Sequence, residues 1–173
     1  MTASEPTIVA TCGGMVAGGW QEAAYGPLLR HAIELSGATG RAPRVAHVNT
    51  AGGDPRSIEG VELEAARVAG VDASHIRLFP HPNHERLAEH VLSRDVVWVS
   101  GGSVVNLLAL WRVHGLDELF RQAWQAGVVL AGGSAGGLCW HSGGTTTSFG
   151  PEATVVADGL RLLRLRPDQE DGR

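Results

Sequence analysis

The stretch that decides the fold is Gly127-Val128-Val129-Leu130-Ala131-Gly132-Gly133-Ser134-Ala135-Gly136. Its first half is a short apolar run, typical of a buried strand. Its second half has the pattern G-x-S-x-G, after which Leu138-Cys139-Trp140 can begin a helix. Small flanking residues would allow a sharp turn that holds Ser134 in strained backbone angles at the carboxyl end of a sheet. Glycine-rich strand ends also occur for turn geometry alone, so the motif by itself leaves a structural role open.

Composition is that of one globular domain without nucleic-acid or membrane partners. The chain has 173 residues, of which 43% are apolar and 18% charged, enough for a sizeable core. A formal net charge of -4 gives no general attraction to nucleic acid or anionic membranes. All basic residues are arginine, which excludes a lysine base, a Schiff base and a P-loop lysine.

Cysteine content and the N-terminal stretch favour a cytoplasmic protein. Cys12 and Cys139 are too few for a disulfide framework or a four-cysteine zinc site, and we expect two buried, reduced thiols. Residues 1–6 lack the basic region of a signal peptide, and no apolar run is long enough to span a membrane. Neither a zinc-binding histidine pair nor a dinucleotide-binding glycine pattern is present, so we expect no metal and no cofactor.

Apolar strands alternate with helical patterns along the chain. The expected strands are residues 7–12, 44–49, 76–79, 96–100 and 127–131. The expected helices are residues 25–35, 54–70, 86–92, 104–114 and 117–126, the second of them capped by Asp54. Such alternation predicts a three-layer αβα fold with a mainly parallel sheet. We assign residues 7–163 to a single α/β domain, residues 1–6 to an N-terminal tail and residues 164–173 to a polar C-terminal tail.

Three glycine pairs fall at predicted strand ends: Gly13-Gly14, Gly101-Gly102 and Gly132-Gly133. Ligands bind at the carboxyl ends of parallel strands, and bare backbone there offers N–H groups to a developing oxyanion. Gly101-Gly102-Ser103, at a helix start, is the best candidate for one donor, and the N–H of Ala135 for the other. For Gly13-Gly14 a tight turn is as good an explanation.

Four blocks, taken together, resemble the peptidase E (aspartyl dipeptidase) family. They are residues 26–29, 49–54, 101–112 and 133–140, of which the third and fourth carry the specific motifs. This family shares its class I glutamine amidotransferase-like, flavodoxin-like fold with cyanophycinases. The resemblance implies that Ser134 is a nucleophile, that Gly102 and Ala135 are oxyanion-hole donors, and that the substrate is a short acidic peptide with an N-terminal aspartate. The chain has Ser103 where family members commonly have asparagine.

The remaining triad positions depart from the family pattern. Thr147 stands where the resemblance predicts an acidic residue, and no histidine follows His141, although the family's histidine would lie beyond Gly159-Leu160. His141 would lie about two helical turns from Ser134, roughly 10 Å along the axis and too far for a direct hydrogen bond. The other seven histidines have ordinary explanations: His47 as a hydrogen-bonded core residue, and the rest in loops, on helices or at helix ends.

These departures leave two interpretations open. The chain is either a serine-type peptidase, or a shortened or frame-shifted relative that has lost hydrolysis and acts as a binding module or an inactive dimer partner. A glutamine amidotransferase is rejected because Ser134 occupies the place of the required cysteine, and Cys139 lies five residues further on. Residues 155–157 could add a strand whose sheet edge would be uncovered, so we also expect a homodimer or a tendency to aggregate.

Overall fold

Five parallel strands form the central sheet of the computed structural model, which describes residues 3–163. Their order across the sheet is β1-β7-β6-β4-β5, and each neighbouring pair is parallel. Their bounds are β1 Ile8–Thr11, β4 Arg44–Val48, β5 Asp72–Ile76, β6 Val96–Val99 and β7 Val129–Gly133. The predicted αβα fold with a mainly parallel sheet is therefore confirmed.

Helices cover both faces of this sheet. They are α1 Pro27–Leu35, α2 Arg56–Ala69, α3 Leu87–Leu92, α4 Val104–His114, α5 Leu116–Gln125 and the short α6 Ala135–Leu138. Successive strand residues alternate between two apolar clusters: Val96 packs with side chains of α1 and α2, whereas Val97 packs with side chains of α4 and α5. Strands buried on both faces explain why the predicted strands were continuous apolar runs rather than alternating ones.

Two antiparallel hairpins lie outside the central sheet. One joins β2 Met15–Gly18 to β3 Gln21–Tyr25, and the other joins β8 Gly144–Thr146 to β9 Thr154–Val156. The first was not predicted, and Tyr25, assigned from sequence to a helix, ends its second strand. Residues 155–157 were expected to add a strand to the central sheet, and this expectation is wrong. The strand β9 pairs only with β8, so among the described residues the central sheet has its edges at β1 and β5. The homodimer stays a prediction.

Two local predictions around α2 are wrong. The third strand, expected at residues 76–79, lies at Asp72–Ile76, because Gly70 ends α2 in a left-handed conformation and the chain enters the sheet at once. Its polar residues belong to an edge strand, where the apolar signal is weak. Asp54 does not cap α2; its Oδ2 accepts hydrogen bonds from the N–H groups of Leu78 and Phe79, at 2.6 Å and 3.1 Å.

The ends of the chain were predicted to be tails. At the N-terminal end the N–H of Ala3 donates to the carbonyl of Gly127 over 3.0 Å, so the described part of this segment is docked on the domain. The polar segment 164–173 lies outside the described residues. Among residues 3–163, no helix has both the length and the apolar composition that a membrane span requires.

The buried carboxylate of Asp95 ties the amino end of the sheet together. It accepts two hydrogen bonds from the Arg41 guanidinium, at 2.6 Å and 2.7 Å, and one from the backbone N–H of Arg44 at 2.7 Å. Burial alone would raise the pKa of Asp95, but these bonds from Arg41 and Arg44 outweigh it and hold the pKa below its ordinary value. The ionised carboxylate therefore stabilises the folded state.

We expect this contribution to disappear in acid. The pKa of Asp95 is lower in the folded chain than in the unfolded chain, where it is about 3.9, so stabilisation is present above that pH and is lost as pH falls through the folded pKa. Urea denaturation of the wild type and of Asp95→Asn, at intervals between pH 7 and pH 3, should show a difference in unfolding free energy that shrinks with falling pH. A pH-independent difference would contradict this prediction.

Candidate active site

Ser134 occupies the sharp turn between β7 and α6. Its φ of 55° and ψ of -121° lie where a residue with a side chain is rarely found, which is the strained conformation that the motif predicted. The turn is held from both sides, since the N–H of Ser134 donates to the carbonyl of Thr11 over 3.1 Å and its own carbonyl accepts from Gly137 and Leu138. The structure therefore places a strained serine at the carboxyl end of β7.

Glycines surround Ser134 because the backbone leaves no room for other side chains. A Cβ at Gly136 would lie 2.0 Å from the carbonyl oxygen of Val99, and one at Gly132 would lie 2.4 Å from the carbonyl oxygen of Gly136. Real Cβ atoms do not approach backbone that closely. The turn packs against the neighbouring strand β6 so closely that the two glycines of the G-x-S-x-G pattern are required there.

A cavity of about 360 Å³ opens beside Ser134, and we call it the Ser134 pocket. Its lining includes all three residues predicted for the site, Gly102, Ser134 and Ala135. Opposite walls come from the β8–β9 hairpin, through Thr145 to Thr147 and Ala153. The tertiary structure therefore brings the predicted residues together, while their chemical roles stay predictions.

Two backbone N–H groups are available at the Ser134 pocket. Within residues 3–163, neither the N–H of Gly102 nor that of Ala135 donates a hydrogen bond to another group of the protein. Gly102 has a φ of 141°, and a Cβ there would lie 2.2 Å from the carbonyl oxygen of Ala51, so only glycine fits. Gly101 approaches Ser134 closely enough that a Cβ would lie 3.1 Å from the Cβ of Ser134. The end of β6 and the turn after β7 therefore face one another.

Ser103, which replaces the family's asparagine, has a structural role. Its hydroxyl accepts a hydrogen bond from the N–H of Asn106 over 3.2 Å and so caps α4. Its own N–H donates to the carbonyl of Ala51 over 2.8 Å. These bonds fix the loop that presents Gly102 to the pocket.

No titratable side chain lines the Ser134 pocket among the described residues. Thr147, which stands in place of the predicted acid, contributes a neutral hydroxyl there. His141 was predicted to lie on the helix that follows Ser134. It does not, because α6 ends at Leu138 and the chain turns away. On this side of Ser134, residues 3–163 therefore supply neither a base nor an acid.

A second cavity, of about 350 Å³, lies on another side of Ser134, and we call it the Trp98 cavity. Ser134 and Gly101 border it, as do the apolar side chains of Met15 and Trp98. Two polar side chains also line it, Ser100 and Glu62. The strained serine is thus shared by two cavities of similar size, and among residues 3–163 a charged group lines only the Trp98 cavity.

Glu62 is the centre of a buried polar network that the sequence analysis missed. Its Oε2 accepts hydrogen bonds from Asn49 Nδ2 and His75 Nε2, both at 2.8 Å, while His47 and Ser100 lie near its Oε1. Tyr25 completes the network, with its hydroxyl hydrogen-bonded to His47 Nε2 at 2.6 Å. His47 is buried and hydrogen-bonded as expected, whereas His75, expected near a helix, is a buried residue of β5.

One sequence signal could have revealed this network. Glu62 lies at helical spacing from Ala65, Ala66 and Ala69, which places a carboxylate on the stripe of α2 that faces the sheet. A buried carboxylate needs partners. His47 and His75 supply them because β4 and β5 are adjacent and pair these two residues in register.

The two cysteines differ in exposure. Cys139 is buried, and burial raises the pKa of its thiol well above the ordinary value, as suits an inert core residue. Cys12, predicted to be buried, is exposed at the rim of the Trp98 cavity, because β1 ends at Thr11 and the chain leaves the sheet there. Within the described range, residues 3–163, no three His, Cys, Asp or Glu side chains are arranged to hold a metal ion.

The fold and the site define a class: α/β proteins with a serine at a glycine-flanked turn after a central strand. Sequence comparison gives the family, because residues 15–168 match the model of peptidase family S51, and the chain belongs to that family. This confirms the resemblance to peptidase E and makes the chain a relative of peptide-cleaving hydrolases.

A curated relative agrees with this assignment, and two solved structures share the fold. The uncharacterized peptidase YgaJ of Bacillus subtilis (strain 168) is 41% identical over 118 residues, which are 68% of this chain and 51% of YgaJ. The chain thus spans about half the length of that curated relative. A crystal structure of a peptidase from an acI-B1 Actinobacterium has a TM-score of 0.58 at 19% identity, covering 90% of this chain and 63% of that one. A candidate peptidase E protein from Listeria monocytogenes EGD-e gives a TM-score of 0.54 at 19% identity, covering 71% and 64%.

Proposed function

We propose that this chain is a serine-type peptidase of short peptides and that Ser134 is its nucleophile. The observation that carries the proposal is the strained conformation of Ser134, beside two N–H groups in one pocket. The Oγ of Ser134 would attack the peptide carbonyl carbon, and the carbonyl oxygen would become an oxyanion facing the N–H groups of Gly102 and Ala135. The C–N bond then breaks, the amine leaves with the proton that the Ser134 hydroxyl lost, and water hydrolyses the acyl-enzyme and restores that hydroxyl.

The substrate class follows from the family resemblance, which implies peptides with an N-terminal aspartate. The Ser134 pocket offers the hydroxyl groups of Thr145, Thr146 and Thr147, which can donate hydrogen bonds to a carboxylate. Aspartyl dipeptides and aspartyl p-nitroanilide are therefore the first substrates to test.

A second candidate function is peptide binding without efficient hydrolysis. It is favoured by the uncharged lining of the Ser134 pocket, in which residues 3–163 offer no titratable side chain to accept the proton of Ser134. A chain of this kind would bind short acidic peptides or serve as a dimer partner.

Covalent labelling separates these two functions. We expect a fluorophosphonate probe to add once to the wild type, with the adduct on Ser134 in peptide mapping and none on Ser134→Ala. An aspartyl dipeptide should slow the labelling by competition. Absence of labelling at Ser134, together with measurable dipeptide binding by calorimetry, would reject the peptidase and support the binding module.

A further inference from the structure

The Trp98 cavity joins the candidate nucleophile to a buried charge. Both Ser134 and Glu62 line it, although the side chain of Glu62 is only 3% exposed. The walls between them include the apolar side chains of Met15, Ile58 and Trp98. A ligand that extends from Ser134 along these walls would meet a carboxylate.

One oxygen of that carboxylate has room for another donor. Oε2 of Glu62 is fully engaged by Asn49 and His75 at 2.8 Å. Oε1 has longer contacts, with Ser100 Oγ at 3.3 Å and His47 Nδ1 at 3.5 Å, and His47 Nδ1 makes no hydrogen bond within the described residues. A carboxylate oxygen accepts two good hydrogen bonds, and the hydroxyl of Ser100 can accept as well as donate. Oε1 and Ser100 thus form a polar end wall that can receive a donor.

The carboxylate is ionised and a poor proton acceptor. Burial alone would raise the pKa of Glu62, but the close imidazole of His47 and the hydrogen bonds from His75 and Asn49 outweigh it and hold the pKa far below the ordinary value. Glu62 is therefore unsuited as a base for Ser134 and suited as a fixed negative charge. No arginine of the described chain lines the Trp98 cavity, so no guanidinium occupies the place next to that charge.

We propose that the Trp98 cavity is a subsite for a primary ammonium group of the peptide, held by Glu62 Oε1 and Ser100. A charge-assisted hydrogen bond to a desolvated carboxylate would be its main attraction, and the apolar walls would take the adjoining carbon chain. The proposal rests on the proposed function, because it places the ammonium group in the same molecule as the bond attacked by Ser134. Two parts of a peptide carry this group, the N-terminal amine and a lysine side chain.

Calorimetric binding to Ser134→Ala distinguishes these sources without turnover. The probes are Asp-Leu, N-acetyl-Asp-Leu and N-acetyl-Asp-Lys. If the site takes the N-terminal amine, we expect Asp-Leu to bind about tenfold more tightly than N-acetyl-Asp-Leu. If it takes the lysine side chain, we expect N-acetyl-Asp-Lys to bind about tenfold more tightly than N-acetyl-Asp-Leu. If neither amine-bearing peptide is preferred, or if none binds, the proposal is overturned.

Variants then assign the preference to Glu62. Glu62→Gln in the Ser134→Ala background should reduce the tenfold preference to less than about twofold, whereas the control Glu59→Gln should keep it. Glu59 is a matched control because it is a buried carboxylate on the same helix, bound to Arg56 and Arg77 and outside the Trp98 cavity. Equal preference in Glu62→Gln and Glu59→Gln would overturn the role of Glu62. If Glu62→Gln does not fold, Ser100→Ala, which keeps the charge, should retain the larger part of the preference.

Failure of this inference is distinguishable from failure of the proposed function. Ser134-dependent hydrolysis of aspartyl p-nitroanilide, together with no binding preference for either amine-bearing peptide, would overturn the ammonium subsite alone. An amine preference in binding, without any Ser134-dependent turnover, would overturn the peptidase and leave the subsite in place.

Discussion

Replacement of Ser134 by alanine is expected to lower kcat for aspartyl p-nitroanilide by about 10³-fold or more, to the background rate. The reason is that no acyl-enzyme can form without the Oγ of Ser134, while the N–H groups and cavity walls remain. KM, or the dissociation constant of an aspartyl dipeptide, should change little, because a hydroxyl is removed and no volume is added. Steady-state kinetics over a range of enzyme concentrations, with calorimetric binding, measure both quantities.

Ser142→Ala is the matched control for this experiment. Ser142 is exposed, follows the same turn, and lines neither the Ser134 pocket nor the Trp98 cavity. It should keep the wild-type kcat and KM. Turnover by Ser134→Ala that equals the wild-type rate would show that another group carries the reaction and would remove Ser134 from the proposed mechanism.

Gly136→Ala is expected to lower the free energy of unfolding by about 3 kcal/mol or more, at the upper end of overpacking effects. The new methyl group would lie 2.0 Å from the carbonyl oxygen of Val99 and 2.5 Å from its carbonyl carbon. Those atoms belong to the central strand β6, which cannot move without breaking its pairing with β4 and β7. Urea denaturation monitored by tryptophan fluorescence gives the midpoint and the slope.

Gly60→Ala tests whether this loss comes from the contact rather than from the loss of a glycine. Gly60 lies on the exposed face of α2, and a Cβ there meets nothing within 4 Å. Alanine should therefore raise the unfolding free energy by about 0.5–1 kcal/mol, through helix propensity alone. A Gly136→Ala protein as stable as the wild type would contradict the packing of the turn against β6.

Much of the fold could be predicted because its signals are local. The alternation of apolar runs with helical patterns is enough to predict the parallel sheet, and α4 lies at the predicted residues. The β2–β3 hairpin was missed because its strands are short and rich in glycine and alanine, so they carry little apolar alternation. The shift of β5 has a related cause, since Asp72, Ser74 and His75 are polar and the apolar run begins only where that strand ends.

At the site, the sequence predicted those residues whose identity is required by the local backbone conformation. Ser134 adopts a conformation that only a glycine-flanked turn accommodates, and Gly102 adopts one that only a glycine accommodates. Asp54 shows the limit of such reasoning, because an aspartate before Pro55 is a good helix cap by local rules. Its actual partners are backbone groups more than twenty residues away, which no local pattern contains.

The sequence by itself determined the strand–turn–helix at Ser134, the alternating α/β order and the family, because each depends on steric or apolar requirements of neighbouring residues. Only the tertiary structure decided which side chains surround the serine. The order of strands and the register of β4 against β5 place His47, His75 and Glu62 in one network at the end of the Trp98 cavity. Pairing between distant segments is set by how whole layers pack, and that is why the carboxylate in a cavity lined by Ser134 could not be predicted from the sequence alone.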